Sequence, residues 1–321
     1  MINKIRKGLI GYTGLIGKNL QNKTHFQEKY NSKNISKIKK NKFDILVCAG
    51  APGSMLIANK NPKKDLTIIN NLIKNLKSVN TDQFILISTI QVFTNIAHSN
   101  YENSKKLNNI LAYGRNRRKL EKFCTKKFKN CLIVRLPSVF GNFLVKNFIY
   151  DLQNPMPSKL TADKMKDVRL KISNNIFREI SKIYTKKNGY YNLNKEKLLK
   201  CKVYDEIINF FKKNNFLSTS FTNVNSSFQF YYLSNIWRDI NIALKNKLKI
   251  IHFATEPITA KYIYNKVYKK RMRANSAKLY KGNMKTKYSK MWSLDKNYIQ
   301  NKNQVLNNLK KYFNRNENCN I

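Results

Sequence analysis

Gly11-Tyr12-Thr13-Gly14-Leu15-Ile16-Gly17 follows the short apolar run Leu9-Ile10 and leads straight into Lys18-Asn19-Leu20. Three glycines at this spacing suit a strand that turns sharply into a helix. The first makes the turn, the second lets a pyrophosphate approach the backbone, and the third packs the helix on the sheet. The start of that helix, at Leu15 and Ile16, offers unpaired N–H groups and partial positive charge to phosphates. Gly-rich corners that bind nothing also exist, so the reading rests on what surrounds this one.

Working outward, residues 4–10 read as a first strand and 14–21 as a first helix. The next strand is thinly marked, somewhere in 24–33. In dinucleotide folds an acidic residue near its end accepts hydrogen bonds from the adenosine ribose and selects NAD. Here Asn31 stands at that place, with Glu28 slightly early and Lys33 close behind, which leaves NAD and NADP both open. Phe43-Asp44-Ile45-Leu46-Val47-Cys48-Ala49-Gly50 is nearly continuous apolar sequence, as expected of a parallel strand covered on both faces. It ends in Ala49, Gly50 and Ala51, then Pro52-Gly53, small residues that let backbone approach a bound cofactor. Residues 65–76 place Leu66, Ile69, Leu72, Ile73 and Leu76 on one helical side, and Gln83 to Thr89 read as another buried strand. Strands thus alternate with helical patterns from residue 4 to about 140, which predicts an α/β fold with a Rossmann-type doubly wound parallel sheet.

The chain has 321 residues, enough for one large α/β domain with an appendage. Its 63 Lys+Arg against 17 Asp+Glu give a net charge of +46, which raises nucleic acid or an anionic membrane as partner. The lysines, however, are spread along the chain among Asn, Ile, Tyr and Phe instead of forming one stripe. The expectation is therefore a solvated, compositionally biased surface with no specific nucleic-acid partner, whose field still steers a diphosphate inward. The longest apolar runs, 45–49 and 84–87, are strand-sized against the roughly 20 residues needed to cross a bilayer, and the N-terminus lacks a signal-peptide pattern. No transmembrane segment and a cytoplasmic location are expected. Cys48, Cys124, Cys131, Cys201 and Cys319 are odd in number and lack Cys-x-x-Cys spacing, so free thiols are expected rather than disulfides or a zinc site. His25, His98 and His252 are equally dispersed, and no metal is expected.

Ser88 and Thr89 end a strand at its carboxyl edge, where open α/β sheets bind ligands, and Tyr113 follows in Ala112-Tyr113-Gly114-Arg115-Asn116-Arg117. Together with the Gly-x-x-Gly-x-x-Gly corner, Ser88-Thr89-Ile90-Gln91-Val92-Phe93 and Val134-Arg135-Leu136-Pro137-Ser138-Val139-Phe140-Gly141, these segments resemble the extended short-chain dehydrogenase/reductases, the NAD-dependent sugar-nucleotide epimerase/dehydratase family. Phe253 to Thr259 echoes a later strand-turn-helix of that family. The likeness spans most of the chain and is specific up to residue 141. It implies a dinucleotide-binding domain over 1–141, with a return of about 228–256, and a smaller C-terminal substrate-binding domain mainly within 142–321. It further implies NAD or NADP as cofactor and a nucleotide sugar as substrate. Thr89 is then the hydroxyl that holds the substrate oxygen and Tyr113 the general acid/base, while Tyr113, Arg117 and Pro137 border the cofactor.

A phenol with a pKa of about 10 is a poor base at neutral pH unless a nearby cation stabilises its phenolate. The family supplies a lysine four residues on; this chain has Arg117. Lys119 lies on another face of the helix and cannot substitute, whereas a residue at i+4 is only about 40° round. Arginine keeps the charge and can bind ribose hydroxyls but cannot release a proton. Arg117 is therefore expected to replace the lysine and acidify Tyr113. Members that eliminate water carry an Asp-Glu pair where this chain has Ile90-Gln91, which disfavours a 4,6-dehydratase. A 4-epimerase with retained cofactor and a 4-ketoreductase with exchanged cofactor both remain. Ser138 stands where many members contact the substrate diphosphate with Asn; Lys146, Asn147 and Arg271, beside Arg273, are further candidates for that contact. In the later chain, 195–213 reads as one helix, 218–227 as a loop, 228–233 as strand-like, 236–244 as a helix with Trp237 as packing anchor, and 306–313 as an amphipathic cap helix. Two other classes compete with the enzyme: a catalytically silent NAD(P)-binding sensor or scaffold, and a basic nucleic-acid or membrane-surface binder. Subunit number stays open, a homodimer among the alternatives.

Overall fold

The apolar run before the first glycine forms a strand, β1 (Lys7–Ile10), and the chain turns through Gly11 into helix α1 (Leu15–Gln21). The structure is a computed structural model that describes residues 5–98, 100–105, 107–187 and 189–317. Next come β2 (Glu28–Tyr30), β3 (Lys42–Cys48), α2 (Met55–Lys60), α3 (Pro62–Leu76), β4 (Asn80–Thr89), α4 (Ala112–Lys127), β5 (Cys131–Leu136) and β6 (Ser138–Phe140). After Leu144 the chain enters a second compact unit. This holds α5 (Phe148–Gln153), β7 (Lys159–Leu160), α6 (Ala162–Lys171), α7 (Asn174–Ile183), β8 (Tyr184–Lys187), β9 (Tyr190–Leu193), α8 (Lys195–Leu199) and α9 (Tyr204–Lys213). From Ser227 the first unit resumes with β10 (Ser227–Phe228), β11 (Phe230–Tyr232), α10 (Ile236–Lys245) and β12 (Ile250–His252). Beyond β13 (Ile258–Thr259), α11 (Ala260–Tyr268) belongs to the second unit, and α12 (Lys302–Glu317) to the first, which takes the chain back at Lys281.

The first unit is built on a six-stranded sheet ordered β12-β5-β4-β3-β1-β2, every pairing parallel. It is the α/β, Rossmann-type arrangement that the alternating pattern predicts. The apolar runs are continuous because both faces are covered, and successive residues are dealt to opposite faces. Leu9, Val47, Ile85, Ile87, Leu132 and Val134 pack with Leu20 of α1 and Ile236, Ile240 and Ala243 of α10. Their neighbours Ile10, Leu46, Cys48, Phe84, Leu86 and Ile133 pack with Ile69, Leu72 and Leu76 of α3 and Leu120 and Cys124 of α4. Strand order reverses between β1 and β3, so their carboxyl ends form the crevice in which such sheets bind ligands. Trp237 packs edge-on to Phe26 with ring centroids 6.0 Å apart. Val305, Leu309 and Tyr312, at three- and four-residue steps, bury one side of α12, which runs longer than the sequence pattern predicts.

In the second unit an antiparallel sheet, β7-β9-β8, accompanies a core of Met165, Val168, Ile180, Ile207 and Phe211. The single helix expected over 195–213 is two. Leu198 and Ile207 are nine residues apart, which would set them about 180° apart on one continuous helix. Both are buried in the same core, and the break between Leu199 and Tyr204 re-phases the chain to allow it. Leu199 is left 81% exposed as a consequence. The short β-strands of this unit and α6 carry no pattern that marks them beforehand, whereas Ile176, Ile180 and Ile183 of α7 stand at helical steps that are not singled out above.

Candidate functional site

The crevice is made by glycines that leave no room for a side chain. Gly11 holds φ at 85°, and a Cβ there would sit 2.4 Å from the Ala49 carbonyl oxygen. A Cβ on Gly17 would fall 2.1 Å from the Gly11 oxygen, so α1 can approach β1 only over a bare backbone. Gly14 precedes Leu15 and Ile16, and no side chain caps α1. Opposite, Ala49, Gly50 and Ala51 leave β3, and a Cβ on Gly50 would press within 2.9 Å of Ile10. Asn31 follows the last residue of β2, where the sequence places it; its amide donates to the Tyr12 hydroxyl at 3.2 Å, and its Oδ1 accepts from the Lys33 amide. The Lys33 side chain is exposed. A cradle that any Cβ would fill, beside an uncapped helix start, fits a dinucleotide pyrophosphate.

Thr89 ends β4, and its Oγ1 accepts from the Gln91 amide at 3.2 Å. Its side chain also hydrogen-bonds the Tyr113 phenol. Tyr113 reaches that place because Gly114 seats the first turn of α4 against the loop after β4: a Cβ on Gly114 would lie 2.1 Å from the Gln91 oxygen. The Tyr113 amide is anchored on Asn59 Oδ1 at 3.0 Å. Arg117, one turn on, is 3% exposed, and its guanidinium carbon stands 4.1 Å from the centroid of the Tyr113 ring. Nη1 donates to Asp65 Oδ2 at 2.5 Å and Nη2 to the Pro52 oxygen, while Asn116 Nδ2 donates to the same Asp65 oxygen at 2.8 Å. Lys119 points elsewhere, donating to Asn70 Oδ1 at 2.8 Å.

The electrostatic outcome corrects the expectation drawn from the sequence. Burial pushes the Tyr113 phenol up; the Arg117 charge and the Thr89 hydrogen bond pull it down, Asp65 pushes up again, and the net shift is upward. Arg117 is close enough to act, but desolvation and the Asp65 carboxylate outweigh it. Tyr113 is thereby held above its ordinary value, which favours the phenol over the phenolate. The reading of Arg117 as a ribose ligand meets a second obstacle, since both of its terminal nitrogens already have acceptors within the protein; buried Nε alone has none.

Beneath Thr89 lies a buried charge network that the motifs do not announce. Glu121 accepts from Arg135 Nε at 2.9 Å and Nη2 at 2.7 Å, from Ser88 Oγ at 2.7 Å and from Arg118 Nη1 at 2.9 Å. Arg135 Nη1 meets His252 Nε2 at 3.3 Å, and the His252 amide donates to Glu102. Arg135 inside the apolar run 131–136 was the available signal: a charge on a strand covered on both faces must find a partner. Pro137 joins β5 to β6, and Ser138 opens β6, which pairs in parallel with β11.

Lys146, Asn147 and Arg271 lie in the second unit. Asn147, at φ 101°, spends its side-chain oxygen capping α5 by accepting from the Ile149 and Tyr150 amides, so that oxygen has a structural duty. Lys146 is exposed. Arg271 is exposed on a hollow of about 280 Å³ with Thr259, Lys261, Tyr262 and Asn265, and Arg273 Nη1 reaches the Lys212 oxygen at 3.4 Å. The structure thus gathers Gly11, Gly14, Gly17, Ala49, Thr89, Tyr113 and Arg117 in one unit and places the diphosphate candidates other than Ser138 in the other. Cys48, Cys124, Cys131 and Cys201 are free thiols, and Cys319 lies outside the described residues. Among the described residues no cluster of His, Cys, Asp and Glu suits a metal ion, and no helix is long and apolar enough to cross a membrane.

Residues 9–167 match the family described as RmlD substrate binding domain. No curated protein matches the chain significantly by sequence. Among solved structures, dTDP-4-dehydrorhamnose reductase from Bacillus anthracis str. Ames in complex with NADP superposes with a TM-score of 0.62 at 13% identity, over 98% of this chain and 99% of that one. The corresponding Clostridium acetobutylicum reductase gives 0.59 at 12%, over 98% and 100%. UDP-glucuronic acid 4-epimerase from Bacillus cereus in complex with NAD gives 0.56 at 15%, over 97% and 98%. At these identities the likeness is one of fold.

Proposed function

With residues 9–167 belonging to the RmlD substrate binding domain family, we propose that the chain is an NAD(P)-dependent reductase that converts a nucleotide-activated 4-keto sugar to its 4-hydroxy form. The observation that carries this reading is the placement of the Tyr113 phenol beside Thr89 at the carboxyl end of β4, with the Arg117 guanidinium 4.1 Å from its ring centroid. Gly11, Gly14 and Gly17 hold the dinucleotide pyrophosphate, with Leu15 and Ile16 at the helix start, Asn31 at the adenosine ribose, and Ala49, Gly50, Ala51 and Pro137 alongside. The nicotinamide cofactor, when bound, supplies the hydride. Thr89 Oγ1 and the Tyr113 hydroxyl hold the C4 carbonyl oxygen of the sugar between them, and Tyr113 gives its proton to that oxygen as the carbonyl becomes an alkoxide. Arg117 keeps its charge throughout and moves no proton. The second unit is the substrate-binding domain in this reading, with Lys146 and Arg271 as its candidate contacts to the diphosphate.

An epimerase must begin by taking a proton from a substrate hydroxyl, which needs a phenolate, and burial works against that. A reductase begins with the phenol as it stands. Elimination of water is unsupported, because buried Ile90 and amide-bearing Gln91 stand where an acid and a base are required.

The test is consumption of NADPH or NADH by purified protein given dTDP- or UDP-linked 4-keto sugars. Tyr113→Phe should lower the rate by about 10²–10⁴-fold, the usual weight of a positioned general acid. Equal rates in the two proteins would overturn Tyr113 as the acid, and no rate in either would leave the silent sensor in possession, a reading that the engaged terminal nitrogens of Arg117 favour. Mass identification of ligand released by denaturation checks the reaction type: tightly retained NAD argues for epimerisation, an empty site for exchange of cofactor at each turnover.

A further inference from the structure

Asp65 has no part in the motif that marks the site, yet it is 4% exposed and sits under the catalytic tyrosine. A carboxylate so deeply buried is costly unless paired, and here every contact serves one end: Arg117 Nη1 and Asn116 Nδ2 both donate to its Oδ2. The guanidinium it holds is fixed further by the Pro52 and Tyr113 carbonyl oxygens and lies 4.1 Å from the centroid of the phenol ring. Five residues, Pro52 on the loop after β3, Asp65 on α3, and Tyr113, Asn116 and Arg117 on the first turns of α4, are thereby tied together.

We propose that Asp65 is a positioning residue of the reductase site: as counter-ion it pins the Arg117 guanidinium over the Tyr113 ring and offsets part of its charge, so that Arg117 serves as a fixed support for the phenol. The lysine-to-arginine departure and the buried aspartate are then two halves of one device. A free ammonium at this place could turn to a ribose hydroxyl; a guanidinium held by a carboxylate and two carbonyl oxygens is fixed in place, and what remains is a rigid cationic support whose charge Asp65 partly offsets. The upward pull of Asp65 on the phenol is the same contact expressed as proton affinity.

The proposal rests on Tyr113 being the proton donor of the reading above, and its test runs on cofactor-free protein, so the two can fail separately. The ultraviolet tyrosinate signal of Tyr113 is isolated as the difference between each protein and the same protein carrying Tyr113→Phe, and is followed with pH. Asp65→Asn retains an acceptor for Nη1 and removes only the charge; the midpoint for Tyr113 should fall, because the guanidinium is no longer opposed. In Asp65→Asn/Arg117→Met, where neither charge remains and the pair is replaced by neutral side chains of similar size, the midpoint should rise above that of the unaltered chain. An unmoved or raised midpoint in Asp65→Asn overturns the proposal, and so does a double variant that titrates below the unaltered chain. If the titrations behave as expected while no 4-keto nucleotide sugar is reduced, the reaction is wrong and the clamp stands. If reduction is seen and depends on Tyr113 but the titrations are flat, the clamp is wrong and the reaction stands.

Discussion

Gly114 sets the distance between the Tyr113 phenol and the Thr89 hydroxyl. A methyl group there would meet the Gln91 carbonyl at 2.1 Å, a backbone atom that cannot step aside as a flexible side chain would. Gly114→Ala should destabilise the first unit by about 1–3 kcal/mol, the range for overpacking, and displace Tyr113 from Thr89. Denaturant unfolding checks the first effect, and a fall in kcat larger than any rise in KM checks the second. The residues that make the site were unequally legible. Thr89, Tyr113 and Arg117 stand at fixed offsets in short motifs, and the glycines are demanded by turns that no other residue can make. Asp65 was not legible as a site residue, because an acid in the first turn of a helix has an ordinary explanation in the helix dipole. Only burial distinguishes it, and burial is not written locally. The sign of the Tyr113 shift was likewise out of reach, since it is the balance of desolvation against a charge whose own counter-ion was unknown.

Between β4, α4 and β5 the Glu121–Arg135 pair does for elements what the clamp does for residues. Glu121 and Arg135 are 0% and 2% exposed, so breaking the pair leaves an uncompensated buried charge. Glu121→Gln should cost about 3–5 kcal/mol, read from denaturant midpoints at constant slope. Burial alone would raise the Glu121 carboxyl, but hydrogen bonds and charge from Arg135, with Ser88 and Arg118, hold it below its ordinary value. A carboxylate depressed in the folded state stabilises fully above its unfolded pKa, and that stability is lost as pH falls through the folded one. The first unit should therefore weaken below about pH 4.5, and Glu121→Gln should flatten the slope. The strands of the parallel sheet were legible because both faces are covered and the runs are long. β2, at three residues, was legible only by its place after the Gly-rich corner. In the second unit the elements are short and half-exposed, and the false single helix over 195–213 arose because an apolar tally on its own does not register a change of phase.

For the whole molecule the charge is the dominant number, and it predicts salt dependence without specificity. Binding to duplex DNA at low ionic strength should vanish at physiological salt; retention there would revive a nucleic-acid role. The two units should also respond to pH in opposite senses. Asp151, in α5, is pushed by burial to about 7 from an ordinary 3.8, so its contribution is full below the lower value and lost as pH rises through the higher. Hydrogen exchange should show α5 loosening as pH rises from about 5 to about 7 while α4 holds, and Asp151→Asn should abolish the difference. Lastly, the path of the chain has a bearing on its biosynthesis. The backbone leaves the first unit after Leu144, comes back at Ser227, departs once more after Ile258 and is home only at Lys281. Throughout translation of the intervening stretch β5 waits as an uncovered border, its ladder completed by β12 more than a hundred residues later. A ribosome that stalls or terminates inside that interval releases five of the six strands with one edge open, which makes the nascent polypeptide a client for chaperones until β12 has emerged.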